Sequence, residues 1–362
     1  MGEIPYERAY YRCQACGWSE FPSDAELGLK EKLTPGACEV VALHGNLQPF
    51  AEAADKSLPK SAGLKVSEST VQRVTEGVGD DLQARRQQGE TFGAAPDWNW
   101  HADADGKRCA YVSLDATGVA QQGPHGEKVE GRMPWVGCVF NPPPRGTKGI
   151  RRMPQIRYVA GLGTLPEMGG QLRREAEHVG VARADRIIGL TDGGNGLEDC
   201  LLDRVCAGLG LEIFLILDFW HAAEHLHDFV ALLFPSDAAE RERQAETWCH
   251  LLKHQGGEAV LNELQSLNLA GHSPEIHEAH RLLTGYIRQN LHRMEYPTYL
   301  SKGWQIGSGT IESACKNVVG GRLKGGGMRW CPYGTTGMCQ LRALFKSERT
   351  LWDSYWSREL AA

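Results

Sequence analysis

The spacing of apolar residues changes character several times along the chain. Between residues 49 and 82 apolar positions recur at three- and four-residue intervals, which predicts helices. The first runs roughly from Pro49 to Leu58. Gly63 then permits a tight turn, and Ser67 is a good N-cap for a second helix. Leu64, Val66, Val71 and Val74 suit the buried side of a helix-turn-helix. Ser69, Thr70, Gln72 and Arg73 would lie exposed near the start of its second helix, where such motifs touch DNA. A plain helical hairpin accounts for the same pattern. Upstream, residues 1–48 read as short and irregular. Downstream, residues 83–107 are polar and broken by Gly93, Pro96 and Gly106, as in a linker.

From residue 108 the pattern becomes that of strands. Cys109–Asp115, Trp135–Phe140 and Ile156–Ala160 are β-rich runs, and Leu165–Gly180 has helical periodicity. Arg186–Asp192 is a fourth strand, Leu197–Gly208 is helical, and Glu212–Asp218 is a fifth strand, buried by its composition. Three hairpin-linked strands followed by helix–strand alternation imply an α/β fold, a mixed sheet with helices on its faces. Residues 222–300 carry no strand signal, only helical spacing with one break at Gly271–Pro274. After that, Gly307-Ser-Gly309 opens a helix carrying Glu312, glycines recur at 320, 321, 325, 326 and 327, and a final helix spans about Thr335 to Trp356.

Composition narrows the class. With 41% hydrophobic and 23% charged residues, the chain is ordinary globular protein rather than disordered. No apolar run approaches the roughly 20 residues that span a bilayer, and Met1-Gly2-Glu3-Ile4-Pro5-Tyr6 has the features of neither a secretory signal nor a myristoylation site. Eleven cysteines, an odd number, argue against a disulfide framework and for a reducing cytoplasm. Cys13-Gln-Ala-Cys16 is half of a zinc site, and no second pair lies nearby. Charge is uneven: residues 301–362 hold nine Lys/Arg against four Asp/Glu, whereas residues 198–300 hold seven against sixteen. A basic end beside an acidic middle suits a face that meets an anion.

Candidate chemistry sits at the strand ends. An acid at the tip of an apolar strand loses solvation unless something pairs with it, and Asp115, Asp192 and Asp218 all occupy such tips. The small residues Ala116, Gly118, Gly193 and Gly194 leave room for a ligand. If the first and fourth strands are neighbours, Asp115 and Asp192 converge, repel each other and raise their own pKa values. A divalent cation relieves that, and oxygen-only ligands favour Mg²⁺ or Mn²⁺. A third ligand must come from a helix laid across the sheet. Glu312 is the best placed, with Asp218 its rival. His221 and His225 share a helical face, and His221 is expected to orient the strand-tip acids by hydrogen bond or salt bridge.

At these residues the chain resembles the DDE-type insertion-sequence transposases of bacteria, specifically the ISKra-like family related to the Mutator-type transposases. The matching motifs are Leu-Asp115-Ala-Thr-Gly, Thr-Asp192-Gly-Gly-Asn-Gly-Leu, Leu-Asp218-Phe-Trp-His221-Ala-Ala-Glu-His-Leu, Gly-Ser-Gly-Thr-Ile-Glu312-Ser and Gly-Met-Arg329-Trp330. The resemblance implies a ribonuclease H-like catalytic domain with Asp115, Asp192 and Glu312 as its acidic triad, and with Asp218 and His221 in support. It implies two Mg²⁺ (or Mn²⁺) ions, with Asp115 shared, Asp192 on one and Glu312 on the other. The reaction would be metal-dependent DNA strand cleavage and strand transfer at element ends. Alternatives are a catalytically decayed DNA-binding regulator, or a ribonuclease H-like nuclease that cuts without joining. Double-stranded DNA would be the partner, bound by a homo-oligomer in the bacterial cytoplasm with the nucleoid. Lys316, Arg322, Lys324 and Arg329 would hold phosphates, and Ser69, Gln72 and Arg73 would read element ends. Relatives carry further N-terminal cysteines that would complete a zinc site with Cys13 and Cys16.

The expected organisation is a cysteine-containing segment at 1–48, a helix-turn-helix-like module at 49–82 and a linker at 83–107. The first part of the catalytic core then spans 108–222, an all-helical insertion 223–300, and the remainder of the core with its basic segment 301–362.

Overall fold

The computed structural model of the protein describes residues 5–30, 32–142, 155–194 and 196–361. A five-stranded mixed sheet forms its centre: β1 (Cys109–Ala116), β2 (Trp135–Asn141), β3 (Gln155–Gly161), β4 (Arg186–Thr191) and β5 (Glu212–Leu217). Their spatial order is β3-β2-β1-β4-β5. β1, β2 and β3 pair antiparallel, and β4 and β5 join parallel on the other side of β1. The side-chain period of two assigns the faces. Cys109 and Tyr111 of β1 enter one apolar cluster, while Ala110, Val112 and Leu114 enter another. Both faces of the sheet are therefore covered.

One face takes the helix Leu165–His178, opened by a capping box between Thr164 and Glu167. The other face takes the helical insertion. Its elements are Phe219–Leu233, Ala238–Gln255, Gly257–Ser266 and Pro274–Asn290, then short turns to Ser301. Trp248, Leu252, Val260 and Ile287 bury themselves in the same cluster as Ile188 and Ile216 of the sheet, so the insertion is packed onto the core. β5 is an edge strand, and Ile213, Phe214 and Leu215 are only partly buried, against the expectation of a buried strand.

Several expectations are corrected. Residues 1–48 are not wholly irregular. Pro35–Leu47 is a helix, capped by Thr34 and buried along Ala37, Cys38, Val41 and Ala42. Gly36 and Gly45 weaken its sequence signal, yet Gly45 is required: a Cβ there would stand 2.1 Å from Thr75 Oγ1. The second predicted helix is longer than expected, Glu68–Gln87, with Ser67 capping it as predicted. The stretch 83–107 is not a free linker. The helix consumes its start, and Phe92, Trp98 and Trp100 are buried in the apolar clusters. A small antiparallel hairpin, Val119–Gln122 with Lys128–Arg132, interrupts the first connection of the sheet, where the strand pattern predicts none. The final helix is two, Pro332–Lys346 and Arg349–Ala361, divided at Ser347.

The N-terminal helices share one apolar cluster with these last two helices, joining Val71, Val74, Val78 and Leu82 to Leu341, Leu344, Trp352 and Tyr355. Gly79 lies so close to Gly337 that a Cβ would stand 2.4 Å from its carbonyl oxygen. Among the described residues, no helix is long and apolar enough to cross a membrane.

Candidate active site

Neighbouring parallel strands end together, and so β1 and β4 bring Asp115 and Asp192 to one edge of the sheet. Asp115 is half-buried, and its Oδ1 accepts the Ala116 N–H at 2.6 Å. The Cys315 thiol donates to its Oδ2 at 3.5 Å. Burial holds the Asp115 carboxyl above its ordinary range; the Ala116 N–H opposes the rise, and the charges of Asp192 and Glu312 add to it. Those two charges are thus within electrostatic reach of Asp115, across long sequence separations.

Asp192 follows β4 in a glycine turn, where its Oδ1 accepts the Gly194 N–H at 2.9 Å. Gly193 takes φ +89° there, a conformation that side chains rarely adopt. The insertion reaches this turn. Arg293, buried, donates to Thr191 Oγ1 at 3.1 Å and pairs with Glu198 at 3.3 Å, and His292 meets Glu198 at 2.8 Å. No motif or spacing points to Arg293 as the residue that holds the Asp192 turn.

Glu312 rides in the first turn of the helix Gly309–Ala314, which continues as a wide π-type turn over Cys315–Gly320. Such turns recur at functional sites. Its side chain is 47% exposed, with Lys316 Nζ 3.9 Å away. Asp218 is different. It is buried, its Oδ1 caps the helix Phe219–Leu233 through the Trp220 N–H at 2.9 Å, and its Oδ2 accepts from Ser308 Oγ at 2.5 Å. Ser308 Oγ also lies 3.2 Å from Glu312 Oε1, and its single proton serves one acid at a time. Of the two rivals, Asp218 is committed to capping and Glu312 faces solvent. Ser308 and Cys315 touch the acids, yet in sequence Ser308 reads only as part of a helix-opening Gly-Ser-Gly.

The donor set, carboxylates alone, suits a hard divalent cation. Among the described residues, however, no three His, Cys, Asp or Glu side chains are gathered to hold one ion. The expectation of three carboxylates drawn into one ligand cluster is corrected: Asp115 and Asp192 end neighbouring strands, and the charges of Asp192 and Glu312 both act on Asp115. Like charges repel, and each carboxylate takes its own local donors.

No known family's model matches the chain, and no curated protein matches it.

The remaining predicted residues divide. Lys316, Lys324 and Arg329 are exposed. Arg322 is not available to phosphate: it is buried, donates to the Gly45 carbonyl at 2.9 Å and stacks on Phe50 and Trp330. It joins the C-terminal segment to the N-terminal helices. His221 pairs with Glu224 on its own helix at 3.6 Å and packs against His225, in place of the expected contact with the strand-tip acids. A residue one helical turn away is simply nearer than the sheet edge. Ser69, Gln72 and Arg73 lie exposed on the first turns of Glu68–Gln87. Cys13 and Cys16 sit at a tight turn between Tyr11–Arg12 and Ser19–Glu20. Hydrogen bonds from Cys16 and from the Ala15 backbone lower the Cys13 thiol pKa, which favours the thiolate that zinc requires. Cys38 does not complete the set, because its buried thiol turns to the Lys30 and Leu33 carbonyls.

Proposed function

We propose that the chain is a DDE-type transposase that cleaves DNA at the ends of an insertion element and joins them to a target. The observation that carries this reading is the arrival of Asp115 and Asp192 at one edge of the sheet on neighbouring parallel strands, with the Glu312 charge within electrostatic reach of Asp115. The strand order, three antiparallel strands followed by two parallel ones, supports a ribonuclease H-like catalytic domain. The helical insertion lies between Asp192 and Glu312, as the resemblance implies.

Asp115, Asp192 and Glu312 would hold Mg²⁺ or Mn²⁺. When bound, such ions lower the pKa of the attacking water and neutralise the leaving oxygen. The chain's own residues do the rest. Asp218 fixes Ser308, and Ser308 sets the loop from which Glu312 projects. Arg293 holds the turn carrying Asp192. Lys316, Lys324 and Arg329 bind phosphates. The 3′-OH released by cleavage is then presented to target DNA at the same acids. The working form is a DNA-bound homo-oligomer in the bacterial cytoplasm, at the nucleoid.

Cleavage of element-end DNA is expected to stop in EDTA and to return on addition of Mg²⁺ or Mn²⁺. Full cleavage in EDTA would sink the metal-dependent reading. Replacing Ser69, Gln72 and Arg73 together with Ala is expected to weaken binding to element ends while leaving Tm unchanged, since all three are exposed. An unaltered gel-shift titration at fixed salt would make this helix a packing element alone.

A further inference from the structure

The hairpin Val119–Gln122/Lys128–Arg132 begins four residues after Asp115 and docks against the glycine-rich loop that follows Leu323. The docking is by backbone: Trp330 N–H donates to the Ala120 carbonyl at 3.1 Å, and Gln122 N–H donates to the Trp330 carbonyl at 2.9 Å. Between hairpin and loop runs an open groove of about 580 Å³. Lys128 comes from the hairpin, and Lys324 and Arg329 come from the loop; among the described residues no acidic one lines the groove. In a chain of net charge −6, three cations around one acid-free groove are a local inversion of sign. Gly325 and Gly327 form part of the wall, and at Gly326 and Gly327 even an added Cβ would meet nothing within 4 Å. The backbone is therefore bare to an approaching ligand. Lys324 also donates to Thr117 Oγ1, two residues from Asp115, so the groove opens beside that acid.

We infer that this groove seats the phosphate backbone of a DNA strand, with Lys128, Lys324 and Arg329 as its cations and the hairpin as its outer wall. This rests on the transposase reading for where the strand leads, toward Asp115, but not for the binding itself. It adds to the basic C-terminal segment a wall and a cation, Lys128, from a distant part of the sequence.

The test is fluorescence anisotropy with a labelled duplex of arbitrary sequence, titrated at several salt concentrations against the full chain. Each phosphate contact contributes a slope of about −0.9 in log K against log salt. Lys128→Ala is expected to flatten the slope by about 0.9 and to weaken binding roughly 8-fold at 0.1 M salt, while Lys128→Arg preserves both. Gly326→Glu is expected to weaken binding more strongly with Tm unchanged, because its side chain enters open space. Equal slopes for the wild type, Lys128→Ala and Gly326→Glu overturn the proposal, as does a wild-type chain that binds no DNA. So does a result in which these variants lose binding to phosphatidylserine vesicles but not to DNA. If the slopes shift as expected while the wild type cleaves no element-end DNA with Mg²⁺ or Mn²⁺, the transposase reading fails and the groove stands.

Discussion

Asp115→Asn is expected to abolish strand cleavage and strand transfer, with a loss of roughly 1000-fold or more, equivalent to about 4 kcal/mol of barrier. The substitution keeps the shape and leaves an oxygen to accept the Ala116 N–H, so the loss reports the charge. Binding of DNA is expected to persist or to strengthen slightly, because a negative charge near phosphate is removed. Stability is expected to move the opposite way from activity. Burial raises the Asp115 pKa in the folded state, so protonation favours folding. The ionised carboxylate costs stability at pH values above its folded pKa, and that cost disappears as pH falls through it. Asp115→Asn therefore raises Tm at neutral pH. A variant that cleaves normally removes Asp115 from the chemistry, and one that loses both activity and Tm shows a structural role instead.

The strands of the sheet were legible because a covered strand is a short apolar run bounded by turns, and all five fall where the pattern puts them. Adjacency of β1 and β4 was only a condition in the sequence; their parallel pairing meets it and brings Asp115 and Asp192 to one edge. Glu312 was legible only through its motif, since nothing local says that a helix after Gly309 returns to that edge. What escaped is what rests on long-range contact. The Pro35–Leu47 helix hides behind Gly36 and Gly45, whose value appears only when Thr75 packs against it. Phe92, Trp98 and Trp100 look isolated in a polar stretch, but the sheet and the C-terminal helices bury them. Arg322 and Lys324 are two residues apart in one basic run, yet one is interior and the other exposed. A charge count cannot separate them; the faces of the turn that carries them do.

The N-terminal helices, β3 and the C-terminal helices are joined by a buried ionic knot, and its centre, Glu175, carries the largest expected effect on stability. Its carboxylate lies 3.3 Å from Arg157 and 3.8 Å from Arg86, and all three side chains are buried. Arg157, on β3, also reaches Glu348 at 3.2 Å and donates to the Phe92 carbonyl at 3.3 Å. Arg86, at the end of the Glu68–Gln87 helix, donates to Gln340 in the C-terminal helix. Removing Glu175 leaves two interior guanidiniums facing each other without their shared anion, a cost of about 3–5 kcal/mol. Glu175→Ala should therefore lower the unfolding free energy by that amount, read from denaturant titration, with cleavage lost only as the protein unfolds. Adding Arg86→Leu to Glu175→Leu is expected to restore much of the loss, because Arg157 keeps Glu348 and the Phe92 carbonyl as acceptors. A shift below about 1 kcal/mol for Glu175→Ala would mean that solvent reaches the knot. The knot has an acid limit as well. Arg157 donates to His178 Nδ1 at 2.7 Å, and burial together with the Arg157 charge lowers the His178 pKa in the folded state. This contribution to stability is complete above the unfolded value near 6.5. It declines as pH falls below that value toward the folded pKa, because the unfolded chain takes the proton first. His178→Asn should flatten the acid side of the stability profile, and an unchanged profile would place the pH dependence elsewhere.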